Sequence, residues 1–535
     1  MGVSKSTYQT TSFLHPCQPW RTITGVVHES ARRRELSLAT PLTQIHMPYL
    51  LLTTYYLLFA LLAWRRLHFA VLLIIATLPS YLIRFQVGPI PMTLLEGMLI
   101  IVFFAAAFHR IKKVRTTPRE PTHTYITLIY ETFNYPLRKS LTLPIGLFLI
   151  AATISLFIAP DLRAASGIWK AYFLEPILFF LILLDLKLHH PTLLDNRKII
   201  RALSVSALLL SLYAIYQRFT GFGIPPPWDK ELRVTSIFPY PNALGLFLAP
   251  LVPLFVARLL TQFRHSERSE ESRTNVRKLL IISYWSLVIL SSIASIIFAK
   301  STGALVGISA GLLVMAFLHP SSRSSKATVA IPQHGMRLPH HAYAWLAMTT
   351  MIAIAVVIIL STPRISKELF LQDWSGHVRK TQWTETIEML KDRPILGVGL
   401  SGYKTALIPY HKATYLEIFE YPHNIVLNFW SETGLLGLVA FVWLVIIFFL
   451  STFHNARNPS PPPLNLRGGD HPTITPLKVR GGGGSYDPIT IASIASMIVI
   501  LIHGLVDVPY FKNDLAILFW IIYSLGLTQA QQRPE

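Results

Sequence analysis

The sequence contains very little cysteine and little charge. Cys17 is the only cysteine among 535 residues, so the chain forms no internal disulfide and no metal site built from several cysteines. Charged residues make up only 14% of the chain, whereas 52% of the residues are hydrophobic. An ordinary soluble domain has about 25% charged residues. The composition therefore excludes a typical soluble protein and predicts a membrane protein.

Long apolar segments recur along the whole chain. A segment of roughly 17–25 apolar residues is long enough to cross about 30 Å of hydrocarbon. We therefore predict an all-α polytopic membrane protein with about 12–13 transmembrane helices. The predicted spans are residues 50–64, 69–83, 91–108, 141–159, 169–185, 199–216, 242–260, 279–299, 304–318, 343–360, 425–450, 489–505 and 515–527.

Acidic residues are scarce beside basic ones, 27 against 48, which gives a formal net charge of +21. No stripe of base-stacking aromatic residues accompanies this charge, so we do not expect nucleic-acid binding. The basic residues instead concentrate in alternate loops, as they do in cytoplasmic loops of membrane proteins. This pattern places the loops 217–240 and 362–422 on the outer side of the membrane.

The polar segments divide the chain into parts. The long outer loop 362–422 has helical periodicity, because Trp383, Ile387 and Leu390 share one helix face. We therefore expect this loop to contain an amphipathic helix. We also expect three low-complexity inner insertions to be disordered, since their composition cannot bury a core. The predicted parts are a polar, disordered extension at 1–46, a transmembrane domain at 47–529 with inner insertions at 262–278, 319–342 and 453–488, and a polar tail at 530–535.

Motifs for nucleotide or metal chemistry are missing. The chain has no GxxxxGK[ST], no His-Glu-x-x-His and no Asp-x-Asp. The run Gly397–Gly402 matches G-x-G-x-x-G, but it lies in a loop with no strand before it and no helix after it, so it does not predict dinucleotide binding. We predict neither a metal site nor a cofactor.

His423 is the first candidate for chemistry, because it lies where the outer loop meets a very apolar helix. Histidine titrates near physiological pH and can accept a proton from a hydroxyl group. An interfacial histidine or a helix cap explains a lone histidine equally well. Asn424 follows it, and Asn428 and Glu432 share the next helix face, where polar side chains usually line a cavity. These three residues are predicted to support the site.

Three cations lie in predicted outer segments. Arg233 ends the loop 217–240, and a guanidinium group binds phosphate through a fork of donors. Lys300 lies in a short outer turn, where basic residues should be scarce. Arg379 lies in the predicted amphipathic helix. We predict that these cations bind a pyrophosphate, although a cation that merely reaches solvent would have the same sequence signature.

Asp161 and Asp507 are two carboxylates in predicted outer segments. Either one could orient a histidine or bind an acceptor sugar. Nothing in the sequence selects between them.

Several motifs together resemble the O-antigen ligase/polymerase superfamily. The segment that begins at Arg233 and ends in Asn242-Ala-Leu-Gly245 resembles an arginine element of that family. The family often has an arginine where this chain has Thr302, so the resemblance implies that Lys300 supplies the charge instead. The other motifs are Arg379-x-x-x-Trp383, Met389-Leu-Lys-Asp-Arg-Pro-Ile-Leu-Gly-Val-Gly399, Pro422-His-Asn-x-x-Leu427 and Glu432-x-Gly-x-x-Gly437.

The resemblance implies a metal-independent glycosyltransferase in the cytoplasmic (inner) membrane, with several membrane spans and an outward-facing active site. Such an enzyme moves an oligosaccharide or polysaccharide from an undecaprenyl-pyrophosphate carrier to a hydroxyl group of a glycan, lipid or protein acceptor. His423 would match the family's essential histidine, and Arg233 would match a cavity arginine. Two alternatives stay open: a polymerase that joins lipid-linked repeat units, and a transporter or flippase of lipid-linked sugars.

Overall fold

The computed structural model describes residues 49–88, 90–116, 136–266, 274–318, 367–368, 370–457 and 487–527. Within these residues six helices are long and apolar enough to cross a membrane, and five shorter apolar helices accompany them. The prediction of an all-α polytopic membrane protein is confirmed. The predicted span 343–360, the N-terminal extension, the polar tail and most of the three insertions lie outside the described residues.

The helices follow the predicted spans closely, with several interruptions. Short 3-10 segments lie at Leu78–Leu82, Trp228–Glu231, Ala249–Leu251 and Ile408–Tyr410, and a π-helical segment lies at Trp169–Leu174. The α-helices are α1 (Tyr49–Arg65), α2 (Leu67–Ala76), α3 (Leu94–Thr116), α4 (Pro136–Ile158), α5 (Leu162–Ile168), α6 (Glu175–His189), α7 (Asn196–Thr220), α8 (Pro241–Leu248), α9 (Val252–Ser266), α10 (Thr274–Phe298), α11 (Thr302–Leu318), α12 (Trp374–Asp392), α13 (Tyr403–Leu407), α14 (Ile425–Arg457), α15 (Pro488–His503) and α16 (Asn513–Leu527).

The second predicted span is shorter than predicted, and the third is shifted so that it begins and ends later in the chain. The helix expected over 69–83 ends at Ala76, because Pro79 lacks the N–H that an α-helix would need there. The next residues form a hairpin of β1 (Arg84–Val87) and β2 (Ile90–Thr93), paired antiparallel. Helix α3 therefore starts at Leu94.

The centre of the bundle is α16. All fifteen of its residues are buried, and from Leu515 to Leu527 nearly all of them are apolar, as expected for a helix inside a bundle. It packs against α6, α14 and α15, and α15 in turn packs against α9 and α11. The turn 504–512, which joins α15 to α16, therefore lies in the middle of one end of the bundle.

The helix predicted in the long loop is present as α12, but its buried face differs from the predicted one. Leu390 is buried, whereas Ile387 is 45% exposed. The buried face also carries Glu385 and Thr386. The prediction is wrong at Ile387 because polar residues, hydrogen-bonded to the neighbouring loop and to Tyr403, occupy part of the buried face. Hydrophobic periodicity does not detect such a face.

Helix α14 is interrupted at Gly434, where φ is 67° and ψ is −177°. The interruption is bridged by the glycine-rich segment before α13: Val398 N donates to Ser431 O at 2.7 Å, and Leu435 N donates to Ile395 O at 2.8 Å. A Cβ atom on Gly397 would lie 2.3 Å from Ser431 O. The glycine-rich run is therefore a backbone junction with α14.

Candidate functional site

Four chain segments meet at one end of the bundle, which we call the loop end. Helices α8, α11, α14 and α16 all begin there. The contacts that hold the segments together are Asn242 Nδ2 to Asp507 Oδ2 at 3.2 Å, Asn424 Nδ2 to Leu505 O at 3.0 Å and Ile425 N to Gly504 O at 2.7 Å. The segments are residues 233–242, 299–303, 418–424 and 503–512.

His423 has an unusual backbone conformation at this end. Its φ is 48°, in the left-handed region that residues other than glycine adopt rarely. The carbonyl groups just before it are fixed by α12, because Gln382 Nε2 donates to Tyr421 O and Trp383 Nε1 donates to Pro422 O, each at 2.9 Å. Asn424 caps α14 by accepting from Val426 N at 3.0 Å. The flanking contacts thus determine where the imidazole lies.

The imidazole of His423 lies beside a buried carboxylate. His423 Nδ1 is 3.6 Å from Asp507 Oδ1, and the Asp507 side chain is 2% exposed. Asp507 also accepts from Val508 N at 2.9 Å, in addition to its bond from Asn242. Burial alone would raise the pKa of the Asp507 carboxyl, but the His423 and His503 rings and the Val508 amide lower it, and the net pKa lies below the ordinary range. Asp507 is therefore a charged group placed to orient an imidazole.

Two aromatic rings enclose the imidazole. The ring centroids of Phe419 and Tyr421 lie 5.1 Å and 5.0 Å from that of His423, both edge-on. The hydroxyl groups of Tyr421 and Tyr240 share a hydrogen bond of 2.8 Å. Burial, with Asp507 nearby, raises the pKa of Tyr421, so this phenol stays neutral. The aromatic wall restricts the imidazole to a narrow range of orientations.

The three predicted cations lie at two neighbouring turns. Arg379 Nε donates to Val506 O at 3.0 Å, directly before Asp507. Arg233 donates to Ala299 O through Nε at 3.2 Å and Nη2 at 3.1 Å, and its guanidinium carbon is 4.9 Å from the Trp228 ring centroid. Lys300 Nζ, in the same turn as Ala299, lies 3.0 Å from Glu231 Oε2 in a partly exposed ion pair.

These two turns are in contact. A Cβ atom on Gly303 would lie 2.8 Å from His503 Cδ2 and 2.9 Å from Val506 Cγ2. Val506 is also the residue whose carbonyl oxygen binds Arg379. The turn that carries Lys300 therefore packs against the turn that carries Asp507.

The two polar residues predicted inside the following helix are both buried. Glu432 Oε2 accepts from Ser401 N at 3.0 Å and so holds the glycine-rich segment. The amide group of Asn428 has no hydrogen-bond partner among the described residues. Glu432 thus has a positioning contact, whereas the amide of Asn428 is left for a group that the described residues do not supply.

The structure distinguishes the two aspartates that the sequence left equal. Asp161 caps α5, where its side chain accepts from Arg163 N at 2.9 Å and Ala164 N at 3.1 Å. Asp507 is the partner of His423.

Sequence reasoning missed Lys512 entirely, although it meets the criterion that selected Lys300, a cation in a predicted outer turn. A histidine beside a buried carboxylate, with cations at the adjoining turns, is an arrangement suited to proton transfer. Among the described residues, no group of three or more His, Cys, Asp or Glu side chains is arranged to hold a metal ion.

Comparison with protein-family models identifies a match over part of the chain. The family model described as O-antigen ligase matches residues 285–442, from within α10 to within α14. The matched part contains Lys300, Arg379 and His423, whereas Arg233 and Asp507 lie outside it. The resemblance inferred from the sequence motifs is confirmed. No curated protein matches the chain.

Proposed function

We propose that this multi-pass membrane protein is a ligase-type glycosyltransferase, because its residues 285–442 match the family model described as O-antigen ligase. It moves an oligosaccharide or polysaccharide from an undecaprenyl-pyrophosphate carrier to a hydroxyl group of an acceptor. The observation that carries the proposal is the separation of 3.6 Å between His423 Nδ1 and Asp507 Oδ1. An imidazole that is oriented by a buried carboxylate is suited to take a proton from a hydroxyl group.

His423 is the general base in this proposal. It takes the proton of the acceptor hydroxyl, whose oxygen forms a bond to the anomeric carbon of the donor glycan. The bond between that carbon and the pyrophosphate oxygen breaks, and the carrier leaves with the electron pair. Asp507 stabilises the imidazolium that forms, because its lowered pKa keeps it charged. A positioned base typically contributes about 10²–10⁴-fold to the rate.

Arg233, Lys300 and Arg379 are the proposed pyrophosphate ligands. Cations that face the leaving group stabilise the charge that develops on it. The packing of Gly303 on His503 and Val506 supports this assignment, because it brings the turn that carries Lys300 against the turn that carries Asp507. Asn424, Asn428 and Glu432 support the histidine and its helix.

In this proposal the protein lies in the cytoplasmic membrane, and its active site is on the outer side of that membrane. The alternation of basic loops along the sequence supports this orientation. Sugar nucleotides are not available outside the cytoplasm, so an outward-facing transferase needs a donor that is already linked to lipid. Pyrophosphate is a good leaving group, and the transfer requires neither a metal ion nor a cofactor.

The test uses the purified full chain in lipid nanodiscs. It receives a defined undecaprenyl-pyrophosphate oligosaccharide and a lipid-linked glycan acceptor, and mass spectrometry identifies the products. We expect wild type to form a new glycosidic bond and His423→Ala to lose at least about 10²-fold in rate. The matched control is His377→Ala, since His377 is an exposed histidine of α12 that binds Tyr415.

The products also separate the competing functions. A glycan joined to the new acceptor supports a ligase, and a longer glycan that remains on the carrier identifies a polymerase. Full activity of His423→Ala would reject the role of His423. Movement of the lipid-linked sugar across the bilayer without any new glycosidic bond would reject a transferase in favour of a transporter.

A further inference from the structure

Lys512 is a covered cation at the loop end. It lies in the N-cap position of α16, because its carbonyl oxygen accepts from Ala516 N at 2.8 Å. Its ammonium nitrogen is shielded from solvent and has no hydrogen-bond partner among the described residues. An ammonium group has three donors and no acceptor, and none of the three is used in a hydrogen bond among the described residues.

This position is unfavourable for a cation with a purely structural role. The N-terminal end of a helix carries partial positive charge and favours acidic side chains. A buried charge without a partner costs free energy as well. Burial lowers the pKa of Lys512 to about 8, although Asp514 and Asp507 act against that shift. A lysine at such a position is a candidate for binding an anion.

The surroundings of Lys512 connect it to His423 through one pair of tyrosines. Lys512 Nζ lies 4.0 Å from the Tyr240 ring centroid, a cation–π distance. The Tyr240 hydroxyl is hydrogen-bonded to that of Tyr421, whose ring lies edge-on to His423. The Tyr240 ring covers the ammonium group, and the hydroxyl pair holds that ring in place.

The nearby Asp507 does not neutralise Lys512 through direct contact. The Asp507 carboxylate accepts hydrogen bonds from Asn242 Nδ2 and Val508 N, and His423 Nδ1 lies 3.6 Å from its Oδ1. Among the described residues no carboxylate oxygen lies within 4.0 Å of Lys512 Nζ. The same turn thus supplies a carboxylate for the imidazole and a cation that is available to a ligand.

We propose that Lys512 is a phosphate-binding residue of this site, and that the Tyr240–Tyr421 pair is its cover. When the pair opens, the ammonium group donates to a phosphate oxygen of the lipid-linked donor. The inference rests on the proposed function. It places a cation on the His423 side of the pyrophosphate, whereas Arg233 and Lys300 lie at the neighbouring turn. Ammonium groups are established point-charge ligands of phosphate.

The test measures the affinity of the full chain in nanodiscs for undecaprenyl pyrophosphate and for inorganic pyrophosphate. Lys512→Met keeps the length of the side chain and removes its charge. We expect it to weaken binding of the lipid pyrophosphate by about tenfold to about a hundredfold, the size of a charge-assisted hydrogen bond, with an unchanged melting temperature. Lys512→Arg should keep most of the affinity. The control is Lys404→Met, which removes an exposed ammonium group that is paired with Glu420.

The measurement with inorganic pyrophosphate shows whether Lys512 recognises phosphate alone or the lipid-linked form of it. An equal loss with both probes assigns the contact to phosphate alone, and a loss with the lipid form only assigns it to the membrane-anchored donor. Unchanged affinity of Lys512→Met for the lipid form overturns the inference. Should Lys512→Met fail to fold, Tyr240→Phe provides a second test. Loss of the hydroxyl pair should speed association of the lipid form by about threefold or more, and an unchanged or slower rate overturns the inference.

The same preparations separate failure of this inference from failure of the proposed function. His423→Ala should bind undecaprenyl pyrophosphate as wild type does, because the imidazole does not hold the phosphate. Glycan transfer by wild type together with unchanged binding by Lys512→Met would overturn the role of Lys512 and leave the transferase intact. Binding that depends on Lys512 without any transfer would support the phosphate site and reject the transferase.

Discussion

The relation between His423 and Asp507 shows what single residues reveal before a structure is known. The position of His423, between a polar loop and an apolar helix, made it a candidate from the sequence. Asp507 could not be selected over Asp161, because both are carboxylates in predicted outer segments. Only the fold brings Asp507 Oδ1 to 3.6 Å from His423 Nδ1, across a long stretch of chain. Spacing along the sequence carries no information about such a pair.

Asp507→Asn should lower the rate of glycan transfer while leaving donor affinity nearly unchanged. The amide keeps the size of the side chain, but it cannot stabilise an imidazolium. We expect kcat to fall by between about tenfold and about 10⁴-fold, the upper limit being the whole contribution of a positioned base. Initial rates at saturating donor concentration measure the effect.

Asp161→Asn is the matched control for this prediction. Asp161 caps α5 through Arg163 N and Ala164 N, and asparagine is an equally good helix cap. Its activity and melting temperature should therefore equal those of wild type. If Asp507→Asn behaves in the same way, Asp507 does not assist His423.

The predicted amphipathic helix of the long loop is present as α12, but its contacts were not predictable. Its buried Glu385 accepts from His411, at 2.9 Å between Oε2 and Nδ1, and from the backbone amides of Lys412 and Ala413. This contact fixes the loop that leads to His423. A buried acidic residue has no signature in a hydrophobicity pattern, because its partners lie on another element.

The contact between Glu385 and His411 should make the loop sensitive to pH. The hydrogen bond with Glu385 raises the pKa of His411 above 6.5, in spite of burial. Burial would raise the pKa of Glu385, but the hydrogen bonds from His411 and the two amides lower it below 4.5. The histidine contribution is therefore lost as pH rises through its raised pKa, and the glutamate contribution is lost as pH falls through its lowered pKa. The contact between Glu385 and His411 is therefore strongest between pH 4.5 and pH 6.5.

Hydrogen exchange at the Lys412 and Ala413 amides measures this dependence. Protection factors corrected for intrinsic exchange should decrease as pH rises from about 6 to about 9, through the raised pKa of His411. Glu385→Gln keeps an acceptor for both amides and removes the ion pair, so its protection should vary little with pH. Equal pH profiles for wild type and Glu385→Gln would contradict the assignment.

For the whole molecule, the alternation of apolar spans and basic loops gave both the fold class and the proposed orientation. The loop end carries the candidate site, and the opposite end carries the turn between α6 and α7. Two exposed threonines mark these ends, Thr414 at the loop end and Thr192 at the other. They allow the proposed orientation to be tested directly.

Because Cys17 is the only cysteine, Cys17→Ser provides a background free of thiols. A single cysteine at position 414 should react with a membrane-impermeant maleimide on intact spheroplasts. A single cysteine at position 192 should react only after lysis. Labelling of position 192 but not position 414 on intact spheroplasts would place the site on the cytoplasmic side and reject the proposed orientation.

The sequence alone determined that this is a membrane protein, that it is helical, where most of its helices lie and which family it resembles. These follow from the composition and length of local segments, because a lipid environment requires each span to satisfy its own backbone hydrogen bonds. The tertiary structure decided which aspartate accompanies His423, which face of α12 is buried, how the glycine-rich segment bridges α14 and where Lys512 lies. Those contacts join segments far apart in the chain, and they depend on the packing of turns around the buried helix α16.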